Sequence, residues 1–236
     1  MPSGNARLFL HGYAVSNYFN AARAALIESG AAFEVVSARA SQDETFLACS
    51  AMGKIPYVAT PQGCVAETIA ILEYIEDAGC GRSLYPADPF ERARARQILN
   101  IIQVYIELPL RSLFPGVFMG GENSAEALGI AKPVVDRAMR ALSRLVAPKP
   151  FLLGEELSHA DLFAFYAFDI GERVARHCYD ESLIDQIEGL RTWDGEMRQR
   201  FSTRLVLADF SPAFSAYLRE KDAAWSEPLP KDRTHA

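Results

Sequence analysis

This sequence is poor in the patterns that specialised chemistries need. Its four cysteines, at 49, 64, 80 and 178, make no CxxC pair and no ligand-like spacing. Its four histidines, at 11, 159, 177 and 235, make neither HxH nor HExxH, so zinc catalysis has no support and no metal is expected. Met1–Arg7 lacks a basic n-region and a long apolar h-region, which argues against an export signal and for a cytoplasmic setting. There the cysteines are expected to be free thiols, with Cys49, Cys64 and Cys80 as buried fillers. The longest uncharged apolar run, Leu162–Phe168, is closed by Asp161 and Asp169. It falls far short of the roughly 18 residues a membrane span needs. Basic residues are also scarce: Lys and Arg number 24 against 30 Asp and Glu, a net charge of −6. Arg92, Arg94 and Arg96 form the one dense stretch, and beside Glu91 it reads as a solvated helix face. Neither nucleic acid nor a membrane is expected as a partner.

What is present is a globular composition, half hydrophobic and 23% charged over 236 residues, enough for one large domain or two modest ones. No internal repeat or low-complexity segment interrupts it. The chain changes character near residue 83. Before that point short β-rich runs alternate with helical ones; after it nearly everything has helical periodicity. Arg7–His11 predicts a first strand. Ser16 and Asn17 then offer N-caps for a helix carrying Phe19, Ala22 and Leu26, which Gly30 would end. Phe33–Val36 predicts a second strand, parallel to the first because a helix joins them. A short helix fits Thr45–Ser50. Tyr57–Thr60 and Cys64–Ala66, separated by Pro61-Gln62-Gly63, predict a hairpin. Thr68–Ala78 predicts a helix with Ile69, Leu72 and Ile75 on one side.

Leu84–Pro89 reads as a proline-bearing linker. A long helix is expected from Phe90 toward Phe114, kinked late by Pro109. Asn123 with Glu126 suggests a capping box for a second one reaching Val146 on a stripe of Ala131, Val135, Ala138, Leu142 and Leu145, bent at Pro133. Ser158 with Asp161 caps a third, and Leu157 with Leu162 can form its hydrophobic staple. Phe163, Phe165, Tyr166 and Phe168 make that helix apolar nearly all round, hence central. Shorter helices fit Leu190–Arg200, Ser202–Asp209 and Pro212–Asp222, with a loose tail from Ser226 to Ala236.

The order β-α-β-α-β-β-α followed by helices resembles the cytosolic glutathione S-transferases. The motifs that carry the likeness are Ser16 after the first strand, Gly53-Lys54-Ile55-Pro56 before the third, Glu67-Thr68 opening the third helix, Leu84-Tyr85-Pro86 at the linker, and Ser158–Asp161. The resemblance implies a thioredoxin-like α/β N-terminal domain over residues 1–82, a linker over 83–89 and an all-α domain over 90–236. It implies glutathione as co-substrate, a small hydrophobic electrophile, a homodimer and a role in detoxification.

It also gives each motif a task. Thr68 would donate to the γ-glutamyl carboxylate at a helix N-terminus, where an anion is favoured, and Glu67 would accept from the α-ammonium. Lys54 would face the glycyl carboxylate. A cis Ile55–Pro56 bond would turn the Ile55 backbone toward the cysteinyl part, pairing with it like an added strand. Ser16 would stabilise the thiolate by donating its hydroxyl. Tyr13 and Tyr18 are rivals for that task. Ser16-Asn17-Tyr18 ahead of Ala21 fits a serine-type, bacterial-like pattern, although Ala21 stands where that pattern often has a basic residue. The absence of a cysteine near residue 16 argues against cysteine-type members. Tyr105, Leu108 and Ser112 are candidates for the electrophile pocket. A glutathione-dependent disulfide oxidoreductase and a non-enzymatic interaction protein on the same fold are the alternatives.

Overall fold

Four short strands, β1 (Leu8–Gly12), β2 (Phe33–Ser37), β3 (Tyr57–Thr60) and β4 (Gly63–Ala66), form one sheet in the order β2-β1-β3-β4. The computed structural model describes residues 7–226; the expected loose tail, from 227 onward, and the leader reading over residues 1–6 lie outside them. β1 and β2 run parallel, as a helical crossover requires, and β3 is antiparallel to both β1 and β4. Leu8 and Leu10 point into the core while Phe9 faces outward, the alternation of a half-buried strand.

The crossover is α1 (Asn17–Ser29). Ser16 caps it, its Oγ accepting from the Phe19 N–H at 3.3 Å, and Gly30 ends it in the left-handed region. Ala21, Ala22, Ala24 and Ala25 are all buried, and this smooth face lets α1 lie close against the helical half. The short α2 (Glu44–Leu47) and α3 (Thr68–Asp77) complete the first half.

The second half contains α4 (Pro89–Ile102), α5 (Leu108–Arg111), α6 (Phe114–Phe118), α7 (Ala125–Leu142), α8 (His159–Tyr179), α9 (Leu190–Gln199) and α10 (Phe201–Glu220). As the sequence suggests, α8 is central, and its first half is buried on every side. Its start is anchored by Asp161, fully buried, which accepts from the Ser158 N–H and hydroxyl (2.9 Å each), the Leu152 N–H (2.8 Å) and Trp193 Nε1 (2.9 Å). Burial outweighs these bonds and holds the Asp161 carboxyl above its ordinary range.

Several expectations need correction. The helix expected toward Phe114 is regular to Ile102, widens into a π-helical turn, Gln103–Glu107, just ahead of Pro109, and runs on as α5 only to Arg111. Pro109 has no N–H and crowds the carbonyl four residues back, and here the ladder widens to accommodate it. Ser124, not Asn123, caps α7, accepting from the Ala127 N–H at 3.1 Å; Asn123 instead donates to the Leu113 carbonyl and accepts from the Gly116 N–H. α7 contains Pro133 and ends at Leu142 rather than Val146. Pro212 does not divide the last helix, since α10 is continuous. Arg92 and Arg96 are not merely solvated, for they reach α3 and pair with Glu76 (3.7 Å) and Glu73 (2.5 Å).

The cysteine reading is overturned most clearly. Cys49 and Cys64 form a disulfide. Phe46 of α2 packs edge-on against Tyr57 of β3 at 5.4 Å, which holds the end of α2 beside the β3–β4 hairpin and brings Cys49 onto Cys64. Cys80 and Cys178 are free and half-buried, and burial raises both thiols, so they are poor nucleophiles at neutral pH.

Candidate functional site

A cleft of about 680 Å³ lies between the two halves. Ser16, Lys54, Ile55, Pro56, Glu67 and Thr68 all line it, and so do Tyr13 and Tyr18. Short local constraints put them there. Asn20, buried, donates to the Ala14 carbonyl at 2.8 Å and fixes the turn that delivers Ser16 to the cleft at the N-terminus of α1. The Ser16 oxygen is used as an acceptor by the Phe19 N–H, which leaves its proton for a group in the cleft.

The segment after α2 is pinned by Ser50, whose Oγ donates to the Lys54 carbonyl (2.7 Å) and accepts from the Lys54 N–H (3.2 Å). Gly53 turns with φ +65°, and a side chain there would strike the Ser41 carbonyl oxygen at 2.4 Å, so only glycine fits. Among the described residues the exposed Lys54 ammonium has no carboxylate partner. The Ile55–Pro56 bond is cis.

Glu67 sits at the start of α3 with φ +67°, a strained conformation for a side-chain-bearing residue that costs on the order of 1–3 kcal/mol. It turns the chain so that the α3 N-terminus opens on the cleft. Thr68, nearly fully buried, follows it, with its hydroxyl 3.4 Å from the Tyr18 carbonyl oxygen.

The two tyrosines differ. Tyr18 donates its hydroxyl to Glu107 Oε2 at 2.6 Å; burial first, then the Glu107 charge, raises its pKa well above the ordinary tyrosine value. That hydroxyl is committed. Tyr13 lies at the mouth with the Arg39 guanidinium 4.2 Å above its ring.

The opposite wall comes from the helical half and, apart from Gln103 and Arg111, is mainly apolar. Leu108, Phe114, Phe118, Ile170 and Phe214 form it, with Met119 and Tyr217 toward the opening. Phe114 meets Phe118 edge-on at 5.0 Å, and Phe118 meets Phe214 at 5.4 Å. Of the residues expected here only Leu108 lines the cleft; Tyr105 is exposed elsewhere, and the Ser112 hydroxyl donates to the Pro109 carbonyl. The missed residues, Arg39, Arg111 and the phenylalanines, carry no local motif. Only Phe114 and Phe118 could have been suspected, from the apolar content of their segment.

Residues 8–77 match the family "Glutathione S-transferase, N-terminal domain". A glutathione S-transferase of Pseudomonas putida is 39% identical over 171 residues, covering 72% of this chain and 77% of the relative. A probable maleylacetoacetate isomerase of Drosophila melanogaster is 30% identical over 112 residues, 47% of this chain and 48% of that one. Among solved structures, the glutathione transferase F2 of Populus trichocarpa superposes with a TM-score of 0.72 at 17% identity, covering 87% of this chain and 99% of the other, a likeness of fold.

Proposed function

The chain belongs to the glutathione S-transferase family, and from that premise we propose that it conjugates the glutathione thiolate to a small hydrophobic electrophile. The observation that carries this is the pairing of a polar strip of helix ends and turns with an aromatic wall across one cleft. In this reading the α3 N-terminus and Thr68 bind the γ-glutamyl carboxylate, and Glu67 accepts from the neighbouring ammonium. Lys54 takes the glycyl carboxylate, and the Ile55 backbone beside cis Pro56 pairs with the cysteinyl unit.

Ser16 donates to the sulfur, and α1 adds its positive end. A charge-assisted hydrogen bond contributes roughly 1.5–3 kcal/mol and one pKa unit is about 1.4 kcal/mol, so Ser16 alone accounts for one to two units of lowering. This makes the chain a serine-type, bacterial-like member. We read residues 1–82 as its glutathione-binding domain, 83–89 as the linker and 90–236 as the helical domain that shapes the electrophile pocket. We also infer a homodimer acting in cytoplasmic detoxification.

The test is thiolate absorbance against pH with glutathione bound. Ser16→Ala should raise the thiol pKa by about one to two units and slow the reaction at pH 7 about tenfold or more. Tyr13→Phe should leave the curve in place. The reverse pattern would hand the role to Tyr13.

A further inference from the structure

Behind Ser16 stands a carboxylate that the reaction as described does not use. Glu107 belongs to the helical half, yet it is 2% exposed and faces the other half. It accepts from Asn17 Nδ2 (3.2 Å), from the Tyr18 hydroxyl (2.6 Å) and from Arg111 Nε (2.7 Å). Arg111 also donates to Asn17 Oδ1 at 2.6 Å, and its guanidinium lies over the Tyr18 and Phe114 rings, 4.8 Å from each centre. Two consecutive side chains after Ser16 are thereby held from across the domain boundary.

The position depends on the π-helical turn that Glu107 closes. A regular α-helix advances about 100° per residue, so losing the extra residue would swing position 107 off α1. Such insertions are often found at functional sites.

We propose that Glu107 is a positioning residue: it fixes the first turn of α1 from the helical half and so aims the Ser16 hydroxyl at the thiol. This rests on the role given to Ser16 above. The charged and titratable groups around the pair are Tyr18 and Arg111 against Glu107, and Tyr13, Arg39, Lys54, Glu67, Arg111 and Tyr217 along the cleft that Ser16 faces. Glu107 is negative, so as a mere charge near the site it would oppose thiolate formation. As a positioning group it favours it. The two roles predict opposite signs.

The experiment reads the thiol pKa of bound glutathione, with thermal stability alongside, in Glu107→Ala, Glu107→Gln and Asn17→Ala. Glu107→Ala should raise the pKa by about one unit, because the α1 turn is released. Glu107→Gln keeps an acceptor for Asn17 and Arg111 and should leave the pKa unchanged or lower it. Asn17→Ala, which leaves the buried charges intact, should raise it by a smaller step and serves if Glu107→Ala does not fold. In a Ser16→Ala background Glu107→Ala should add nothing. A lowered pKa in both Glu107 variants would make Glu107 a charge effect and overturn the proposal. So would reduced stability with an unmoved pKa in Glu107→Ala, or, should that variant not fold, in Asn17→Ala. If Ser16→Ala itself leaves the pKa in place, it is the Ser16 reading that fails.

Discussion

The two walls of the cleft are built by different means. On the thioredoxin-like side the groups facing the cleft are set by backbone: the cap at Ser16, the +65° turn at Gly53, the cis bond at Pro56 and the strained Glu67 at the head of α3. On the helical side they are side chains only, Phe114, Phe118 and Phe214 meeting edge to edge from α6 and α10. Backbone devices tolerate little change, because only a few residue types cap a helix as Ser16 does and glycine alone fits at position 53. An aromatic wall can be repacked at constant volume with little loss. This difference suits the function proposed above, in which one co-substrate is recognised closely and the second is held by apolar surface.

Three experiments probe that contrast. The largest effect is expected outside the cleft, where the helical half depends on backbone bonding after all. Asp161→Ala would leave the Leu152 and Ser158 N–H groups and the Trp193 indole without a buried acceptor. Unfolding in urea should show a loss of about 4 kcal/mol or more. A loss below about 1 kcal/mol would mean that side-chain packing alone sustains this half.

Next, Lys54→Ala and Glu67→Ala should raise KM for glutathione about 10- to 150-fold with little change in kcat. Each contact is assigned to a part of the tripeptide unchanged by the reaction, and losing one costs roughly 1.5–3 kcal/mol. Steady-state kinetics in which kcat fell while KM held would contradict those assignments.

The smallest effect concerns the seam between the halves. Burial pushes the Glu76 carboxyl up, but the His159 ring 3.6 Å away and the hydrogen bonds from Ser83 and the Leu84 N–H outweigh this and hold it at about 2. A carboxyl depressed on folding stabilises the protein above the ordinary carboxylate range, and that stability is lost as pH falls toward 2. Glu76→Gln should therefore flatten the fall of Tm between pH 5 and pH 2. An equally steep fall would remove Glu76 from the acid response.

How much could be read beforehand follows the same division. The order of strands and helices up to Asp77 was legible because each element has its own start and stop signal, such as Ser16 and Gly30 around α1. The six residues expected to face glutathione do share one cleft, because each sits at a chain feature with a local signature. The π-turn was not legible: Pro109 announces a disturbance, but whether the ladder kinks or widens depends on what Glu107 meets across the boundary. Pro212 suggests a break from sequence, yet a helix packed along its length can forgo one hydrogen bond, and α10 runs through it. Cys49 and Cys64 carry no spacing signature, since their meeting depends on where α2 rests against β3.

That meeting closes a covalent ring. The chain from Cys49 to Cys64 contains Gly53, Lys54, the cis Ile55–Pro56 bond and all of β3, so the edge proposed for glutathione is a macrocycle fastened to the scaffold. A single backbone cut inside it would open the ring and release no fragment. On the chain-entropy view, closing a loop of about 15 residues stabilises the fold as a whole by roughly 3 kcal/mol, because the unfolded chain loses freedom over the segment that would hold the tripeptide. The fastening is also a bond that thiols open by exchange. Glutathione, a thiol, is thus both the molecule this edge is proposed to hold and a reagent for the link that secures it.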